Sequence, residues 1–383
     1  MKFELHNKSV VFLLKSFVLG GAEKQALFLA GYLQNERGCD VYIYSYIQSN
    51  TTELFYAECE KYELKNLYIE ANPLSASGKF KYLKRRIKLH LFGKKLRKHQ
   101  PDIIIPYLNP PSIIANICYK TSGAKKTFWH HRGVDYYRDD AIEKLAAKRA
   151  QYFITNSKNG AEELKNELEN QNKSTHTLAN FSTIESINLS SKESIKKKYH
   201  IPENSLVIGM IAHFRSEKRQ EILVKACLSL FKEYSNVHLV LVGNEYYGSF
   251  MDSEVIIMSS MIEEEGHKQR VTILHDTDSS EILPVFDIGV LLSDKEGMPN
   301  VVMEYMAYEL PILTNNHDGC VELLGEGYKY YTENKPKQVE EKLVALIEDE
   351  ALRKSLGKRN QERLNSKFSI ENYMTKLEEI LNS

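Results

Sequence analysis

A chain of 383 residues exceeds the length at which one hydrophobic core usually stops growing, so we expect two domains of roughly 200 residues or fewer each. The 51 Lys and Arg residues balance the 51 Asp and Glu residues. This balance excludes an overall field that would attract nucleic acid, so we expect no nucleic-acid partner.

The cysteines and the N-terminal residues indicate a cytoplasmic protein. The cysteines are far apart and odd in number, which fits neither a zinc site nor a disulfide framework. They are Cys39, Cys59, Cys118, Cys227 and Cys320. The apolar run near the N-terminus is short and is interrupted by Lys15, which is typical of a buried first strand rather than of a signal peptide or a spanning helix.

Short apolar runs alternate with longer helical patterns along the chain, which predicts strand-helix units and parallel sheets. In the first half the predicted strands are 10–14, 41–46, 102–107, 126–130 and 152–155. In the second half they are 206–211, 237–242, 271–274, 287–292 and 311–313. Two such series predict an α/β protein with two Rossmann-like, doubly wound domains facing across a cleft, with ligands at the carboxyl ends of the strands.

A polar stretch at residues 184–204 separates the two series and has the composition of an interdomain connection. We therefore place the first domain at residues 1–190 and the second at residues 191–367. The last segment, 368–383, has the pattern of an amphipathic helix with Ser369 as a candidate N-cap. We expect this helix to pack back toward the first domain.

The loop after the first predicted strand contains Gly20 and Gly21, followed by apolar residues at helical spacing. Two glycines let backbone amides approach a phosphate or a sugar at the N-terminus of a helix. A tight turn without any ligand accounts for the two glycines equally well.

The corresponding loop of the second series carries three cations, Arg215, Lys218 and Arg219, soon after the predicted strand 206–211. A diphosphate leaving group gains negative charge as its bond breaks, and cations at a strand end can compensate that charge. The loop is therefore a candidate diphosphate clamp. A solvated basic turn explains the same residues equally well.

The segment after the predicted strand 287–292 has the pattern of a loop that enters a helix. Pro299 suits the first helical position, so we expect the helix to begin there. The backbone amides of Gly297, Met298 and Asn300 would then lie near the positive end of the helix, where an anion is stabilised.

Two carboxylates flank this predicted helix start. Glu296 lies in the loop, and Glu304 lies about 7.5 Å along the helix axis from Pro299. A carboxylate can accept hydrogen bonds from two neighbouring hydroxyl groups. The separation therefore suits two different groups of one extended ligand, such as a sugar and a ribose.

These features resemble the large family of retaining GT-B glycosyltransferases, of the group 1 or family 4 type, which use nucleotide-sugar donors. The resemblance covers nearly the whole chain and is densest at residues 205–325. It rests on Gly20 to Glu23, on Lys218, on Val242 and Gly243, and on Glu296 and Glu304 with the seven residues between them.

The resemblance implies a hexosyltransferase that moves a sugar from a UDP- or GDP-linked donor to a glycan or lipid-linked acceptor. The products of such enzymes include bacterial capsules and lipopolysaccharide O-chains. The first domain would bind the acceptor and the second domain the donor. No enzyme nucleophile is evident, so the leaving phosphate would accept the proton and the anomeric configuration would be kept.

The resemblance also implies roles for individual residues. Lys218 would contact the diphosphate, Glu304 the ribose hydroxyls, and Glu296 the sugar ring near the reacting carbon. Gly21 would meet the phosphates from the first domain. The remaining candidate donor contacts are Gly20, His213, Arg215, Gly243, Gly297, Met298 and Asn300.

In the first domain, His130 best matches the family's histidine beside the donor sugar, so His130 and Glu296 are the candidate catalytic residues. His131 is adjacent, and the assignment could be off by one residue. A hydrogen-bonded histidine at a strand end, without a catalytic role, is the alternative interpretation.

Three positions depart from the family pattern. His213 stands where the family usually has an arginine, and Arg215 lies on the same side of an extended segment and could supply the charge. Glu309 replaces a glycine at a helix end, so it must avoid or tolerate the left-handed conformation. Tyr305 replaces a small residue after the second carboxylate and would alter the packing there.

Residues 276–278 have the acidic spacing that binds a divalent metal in the other major glycosyltransferase fold. Ser279, Ser280 and Glu281 follow, however, so we expect Asp278 to lie in a helix-capping turn. We predict no obligatory metal and no cofactor besides the nucleotide sugar, which is a co-substrate.

Residues 79–98 contain ten Lys and Arg residues interleaved with apolar residues. Such a basic amphipathic helix can lie on an anionic membrane, which would place the protein peripherally at the cytoplasmic face of the cell membrane. A solvated surface helix is an equally good interpretation.

Three other functions remain as alternatives to a glycosyltransferase. A nucleotide-sugar epimerase shares the two-domain design, although the carboxylate pair disfavours it. A binding subunit without catalysis would fit the departures at His213 and Glu309. A dinucleotide-dependent oxidoreductase is disfavoured because no Gly-x-Gly-x-x-Gly follows the first strand.

Overall fold

The computed structural model describes residues 2–47, 51–132, 141–167, 173–184, 191–244 and 252–383. The chain divides into two compact units. The first unit comprises Met1–Thr183 with Ile370–Ser383, and the second comprises Ile184–Ser369. The boundary predicted near residue 190 falls in a stretch that lies outside the described residues.

Strands and helices alternate in both units. The first unit contains β1 (Ser9–Leu14), α1 (Gly21–Asn35), β2 (Asp40–Ser45), α2 (Glu53–Lys61), β3 (Leu67–Ile69), α3 (Lys81–Leu96), β4 (Ile103–Pro106), α4 (Asn109–Ser122), β5 (Lys126–Thr127), β6 (Trp129–His131), α5 (Ala141–Arg149), β7 (Phe153–Thr155), α6 (Lys158–Glu167) and β8 (Thr175–Thr177). The second unit contains α7 (Lys192–Lys198), β9 (Leu206–Ile211), α8 (Gln220–Glu233), β10 (Val237–Val242), α9 (Asp252–Glu264), β11 (Val271–Leu274), α10 (Ser279–Ile282), β12 (Ile288–Leu291), α11 (Asn300–Ala307), β13 (Ile312–Thr314), α12 (Asp318–Leu324), α13 (Pro336–Glu348) and α14 (Glu350–Lys367). The last helix, α15 (Ile370–Leu381), belongs to the first unit.

Each unit is built on a parallel five-stranded sheet with the same topology. The strand order is β3-β2-β1-β4-β5 in the first unit and β11-β10-β9-β12-β13 in the second. The first unit also has a smaller parallel sheet with the order β6-β7-β8. In both large sheets the order reverses next to the first strand, and loops at the carboxyl ends of strands at this point are where doubly wound sheets bind ligands.

The large sheet of the first unit is buried on both faces, as parallel sheets usually are. Val10, Phe12 and Leu14 of β1 pack in one apolar cluster, which also contains residues of α1 and α15. Val11 and Leu13 pack in the other cluster, with residues of α3 and α4. The strand alternation therefore distributes β1 between two apolar layers.

Most predicted strands are confirmed, and β9, β10 and β11 have the predicted bounds. The prediction of one strand at 126–130 was wrong. Residues Lys126–Thr127 pair with β4, whereas Trp129–His131 pair with β7 in the smaller sheet. The strands β3 and β8 were not predicted, because each has only three residues and these are only partly buried or exposed. Among the described residues, no helix is both long and apolar enough to cross a membrane.

Candidate active site

The turn after β9 places Lys218 at the carboxyl end of a central strand. It is a single turn of 3-10 helix that ends at Lys218, and Arg219 adopts a left-handed conformation with φ of 56° before α8 begins. The Gln220 side-chain amide donates to the carbonyls of Ala212 and His213 at 3.3 Å and 2.9 Å. These bonds hold the end of the strand against the start of the helix.

The loop after β12 brings Glu296 to Lys218. Lys218 Nζ donates to Glu296 Oε1 at 2.6 Å, and Ser293 Oγ donates to the same oxygen at 2.5 Å. The Lys218 and Glu296 side chains are 19% and 16% exposed, so water screens this ion pair only in part. Two predicted site residues that are 78 positions apart therefore meet at hydrogen-bond distance.

The helix that carries Glu304 begins one residue later than predicted. Pro299 has φ of −75° and ψ of 117°, so it is the N-cap of α11, and Asn300 is the first helical residue. The expectation that Pro299 is the first helical residue was wrong, because its ψ is extended rather than helical. Glu304 lies buried on this helix, about 6 Å along the axis from Asn300.

Tyr305 anchors α11 to the two central strands of the second sheet. Its hydroxyl accepts the N–H of Ile211 at the end of β9 at 2.8 Å and donates to the carbonyl of Val290 on β12 at 3.3 Å. A Cβ on Gly289 would lie only 2.6 Å from the Tyr305 ring, so the ring occupies the space above that glycine. The large residue in place of a small one thus fixes the helix that carries Glu304.

Residues around the start of α12 support the Glu296 loop. His317 Nε2 lies 2.5 Å from the carbonyl oxygen of Ser293. A Cβ on Gly319 would lie 1.6 Å from the carbonyl oxygen of Gly297, so the backbones approach too closely for any other residue. Ser293 and His317 were not predicted as site residues. The contact of His317 joins segments that follow different strands, β12 and β13.

The three cations of the candidate diphosphate clamp have different partners in the structure. Arg219 contacts both carboxylate oxygens of Asp294, at 2.9 Å and 2.7 Å, and so bridges two loops of the protein. Arg215 lies 3.5 Å from the Glu217 carboxylate, and His213 is exposed. Of the three cations, Lys218 is the one that contacts Glu296. The role of Arg215 in binding a donor stays a prediction.

Gly243 has a packing role that requires no ligand. A Cβ on Gly243 would lie 2.0 Å from the carbonyl oxygen of Ala212. Its N–H donates to the carbonyl of Leu274 at 3.0 Å. The close backbone approach explains the glycine, and its donor contact stays a prediction.

Asp278, one of the acidic residues at 276–278, caps a helix, as expected. Asp278 is the N-cap of α10 and accepts the N–H of Ser280 at 2.8 Å. In the part of the chain that the structure describes, no three His, Cys, Asp or Glu side chains converge as metal ligands.

In the first unit, Gly20 is the N-cap of α1, and the first turn of this helix contains Glu23, a carboxylate that was not predicted as a site residue. Glu23 is the third residue of the helix, and it accepts hydrogen bonds from its own backbone N–H and from that of Gly20. This is the reciprocal half of a capping box. Burial raises the pKa of Glu23 to about 7, while these bonds and the charges of Arg132 and Lys15 act in the opposite direction.

His130 lies buried on β6, close to the end of β4. Its Nδ1 is 2.9 Å from the carbonyl oxygen of Pro106, and because a carbonyl can only accept, Nδ1 carries the hydrogen. Burial, followed by the charge of Arg132, holds the pKa of His130 well below its usual range, so the ring is neutral. His131 faces the other side of the strand, near Gly160, and the choice of His130 as the catalytic residue stays a prediction.

Arg132 joins the ends of three strands of the first unit and was also not predicted as a site residue. Its guanidinium lies 4.9 Å from the ring centroid of Tyr107, after β4. It donates to Asn180 Oδ1 at 2.5 Å, after β8. Together with Glu23 and His130 it forms a polar cluster at the carboxyl ends of the strands.

Comparison with known proteins finds a family match within the second unit. Residues 191–363 match the family described as glycosyl transferases group 1. The chain is 26% identical over 193 residues to the capsular polysaccharide biosynthesis glycosyltransferase CapM of Staphylococcus aureus, covering 49% of each protein. It is 38% identical over 84 residues to the N,N'-diacetylbacillosaminyl-diphospho-undecaprenol alpha-1,3-N-acetylgalactosaminyltransferase of Campylobacter jejuni, covering 21% of this chain and 22% of the other. The chain thus spans about half the length of the first relative and about a fifth of the second.

Solved structures identify the fold of the whole chain. The crystal structure of Anabaena Alr3699/HepE in complex with UDP and glucose superposes with a TM-score of 0.77 at 17% identity, covering 98% of this chain and 99% of the other. The expected fold class is confirmed, and the resemblance to group 1 glycosyltransferases is confirmed for residues 191–363. The second unit is therefore similar to the group 1 glycosyltransferase family over residues 191–363, and the chain as a whole has the GT-B fold of its structural neighbours.

Proposed function

We propose that the protein is a retaining glycosyltransferase that moves a sugar from a nucleoside diphosphate sugar to a glycan or lipid-linked acceptor. The product would be a bacterial surface polysaccharide, such as capsule or lipopolysaccharide O-chain. The observation that carries the proposal is the contact of 2.6 Å between Lys218 Nζ and Glu296 Oε1. It lies beside the central strands of the second sheet, where doubly wound sheets bind ligands.

The second unit would hold the donor. Lys218 would contact the diphosphate, Glu296 the hydroxyl groups of the sugar, and Glu304 the hydroxyl groups of the ribose. The amides at the start of α11 would add partial positive charge near the phosphates. A uridine nucleotide is the first donor to test, since the HepE crystal structure contains UDP and glucose.

Lys218 would stabilise the transition state more than the ground state. As the bond between the sugar and the diphosphate breaks, negative charge grows on the leaving oxygen, and a fixed cation lowers the energy of that state. The diphosphate would have to compete with Glu296 for Lys218. The leaving phosphate would accept the proton of the acceptor hydroxyl, which attacks from the same face and keeps the anomeric configuration.

The polar cluster of the first unit would serve the sugar and the acceptor. The neutral ring of His130 would contact the transferred sugar. Because the ring carries no positive charge, it would not repel the positively charged sugar in the transition state. The backbone of Gly20 and Gly21 would meet the phosphates. A lipid-linked acceptor is supported by the similarity to the Campylobacter jejuni enzyme, whose name includes a diphospho-undecaprenol sugar.

A nucleotide-release assay tests the proposal. The full chain is first screened by thermal shift against UDP- and GDP-sugars, because a donor that binds the folded protein raises its melting temperature. Nucleotide release is then measured with lipid-linked and soluble glycan acceptors. We expect release that depends on acceptor and is unchanged by EDTA, since no obligatory metal is proposed.

The same assay separates the alternative functions. A binding subunit would be stabilised by a donor without releasing nucleotide, and an epimerase would change the sugar without an acceptor. Lys218→Ala should remove release, whereas Lys225→Ala, an exposed lysine on α8, should leave it intact. Equal activity of the two variants would refute the proposed role of Lys218.

A further inference from the structure

The helix α3 presents apolar side chains on two opposite sides. One side carries Leu89, Phe92 and Leu96, which are buried in the apolar cluster formed with α4. The other side faces solvent with Leu83, Ile87 and Leu91, which are 55%, 52% and 54% exposed. A surface helix normally has a polar outer side, so this second apolar stripe requires an explanation.

The exposed stripe forms a concentrated patch. Leu83, Ile87 and Leu91 are spaced four residues apart, which aligns them along one side of the helix. Phe80, immediately before the helix, extends the stripe and is 63% exposed. Of the ten large apolar side chains that the described residues leave exposed, five lie between 80 and 91. Contiguous exposed apolar surface of this kind marks an interaction site.

The surroundings of the stripe are positively charged. Residues 71–101 contain no Asp or Glu, while residues 79–98 contain ten Lys and Arg. Lys84, Lys88 and Arg86 are exposed and lie on both sides of the stripe. The net charge of the whole chain is zero, so the positive charge is a local property of this segment.

We propose that α3 docks on an anionic lipid bilayer. Leu83, Ile87 and Leu91 would enter the boundary between headgroups and acyl chains, and the surrounding cations would contact anionic headgroups. A second copy of the chain is a poorer occupant of the stripe, because two segments with ten positive charges each would repel. This inference is independent of the catalytic proposal, since docking requires neither donor nor acceptor.

Vesicle co-sedimentation of the full chain tests the inference. We expect binding to vesicles of phosphatidylcholine with roughly 30% phosphatidylglycerol, which represent an anionic bilayer. We expect little binding to vesicles of phosphatidylcholine alone. Lys84→Gln with Lys88→Gln should weaken binding by about 25-fold, or roughly fivefold for each cation removed near the surface. High salt should weaken the wild type in the same direction.

A triple variant tests the apolar stripe itself. Leu83→Ser, Ile87→Ser and Leu91→Ser together should weaken binding at least about tenfold, because inserted apolar area is lost. These side chains are exposed, so the melting temperature should stay unchanged and confirm folding. The matched control is Ile256→Ser with Ile257→Ser on α9, where exposed apolar residues stand among Glu254 and Glu263 to Glu265, and it should bind like the wild type.

Three results would overturn the inference. The wild type could remain in the supernatant with both kinds of vesicle. The triple variant could bind as well as the wild type, which would exclude insertion. Sedimentation velocity without lipid could instead show that the wild type is a dimer and the triple variant a monomer. This result would assign the stripe to contact with a second copy of the chain. Nucleotide release is not part of the readout, so each of these results would leave the catalytic proposal standing.

Discussion

Lys218 and Glu296 neutralise each other across two loops of the second unit. Glu296 Oε1 accepts from Lys218 and from Ser293, and the loop behind it is held by His317. A partly buried ion pair supported by further hydrogen bonds keeps a defined geometry. The carboxylate is therefore positioned before any ligand competes for the lysine.

Replacing Glu296 by Gln tests its proposed role. The amide oxygen can still accept from Lys218, so the fold should be retained, but the charge that would stabilise a positive sugar is lost. We expect kcat/KM for the donor to fall at least about 100-fold, or about 2.7 kcal/mol. Glu326→Gln, at an exposed position, is the matched control. A Glu296→Gln variant with wild-type kinetics would exclude Glu296 from the chemistry.

Glu23 places a titratable carboxyl group at the amides that would meet a phosphate. Burial raises its pKa to about 7, so the group is neutral below pH 7 and charged above it. The charged form accepts hydrogen bonds from the amides more strongly and repels an anion. Donor binding should therefore weaken as the pH rises through 7.

This pH effect can be measured as the donor KM between pH 6 and pH 8.5. In the wild type we expect KM to rise across this range, because the ionised fraction of Glu23 increases. Glu23→Gln stays neutral and should flatten the dependence. A profile of equal slope in both proteins would show that Glu23 does not influence donor binding.

At the scale of elements, Tyr305 links α11 to β9 and β12. Its hydroxyl satisfies the N–H of Ile211 and the carbonyl of Val290, and its ring is fully buried. The linkage explains how a large residue can follow Glu304 without displacing the helix. Glu309 follows the end of α11 and has φ of 54°. Of the two possibilities expected for this position, avoiding or tolerating the left-handed conformation, the structure shows the second.

Removing the hydroxyl with Tyr305→Phe should destabilise the second unit. The N–H of Ile211 and the carbonyl of Val290 would lose their partner, which costs about 1–3 kcal/mol. Chemical denaturation measures this loss, and Tyr56→Phe, partly exposed on α2, serves as the control. An unchanged free energy of unfolding would show that water replaces the hydroxyl.

At the scale of the whole molecule, the end of the chain completes the first unit. Met374, Leu377 and Leu381 of α15 are fully buried in the cluster that contains Val10 and Phe12 of β1. The last helix, α15 (Ile370–Leu381), therefore shares the core of the first strand, β1 (Ser9–Leu14), from the opposite end of the sequence. The stability of the first unit depends on its C-terminal residues.

Leu377→Ala should destabilise the first unit selectively. A buried leucine truncated to alanine costs about 2–5 kcal/mol through lost contacts and a cavity. Hydrogen exchange of the full chain should show faster exchange in β1 and β2, with β9 and β10 unchanged, because the second unit has its own sheet. Equal acceleration in both units would contradict this separation.

The sequence determined the features that depend on local physics. Alternating apolar runs located β9, β10 and β11 with their bounds, because burial on both faces of a parallel strand leaves a continuous apolar pattern. The three-residue strands β3 and β8 were missed because their residues are only partly buried or exposed, whereas the equally short but buried strands β7 and β13 were predicted. The positions of Lys218, Glu296 and Glu304 were also accessible, since each stands in or just beyond a loop that follows a predicted strand.

Only the tertiary structure decided which of these groups meet. The sequence placed three cations in one turn, but the fold directs Lys218 to Glu296 and Arg219 to Asp294. The support that His317 gives to the Glu296 loop likewise arises from a contact that no short pattern encodes. The physical reason is that periodicity and turn chemistry act between near neighbours, whereas a hydrogen bond between residues far apart in sequence depends on how strands and helices pack.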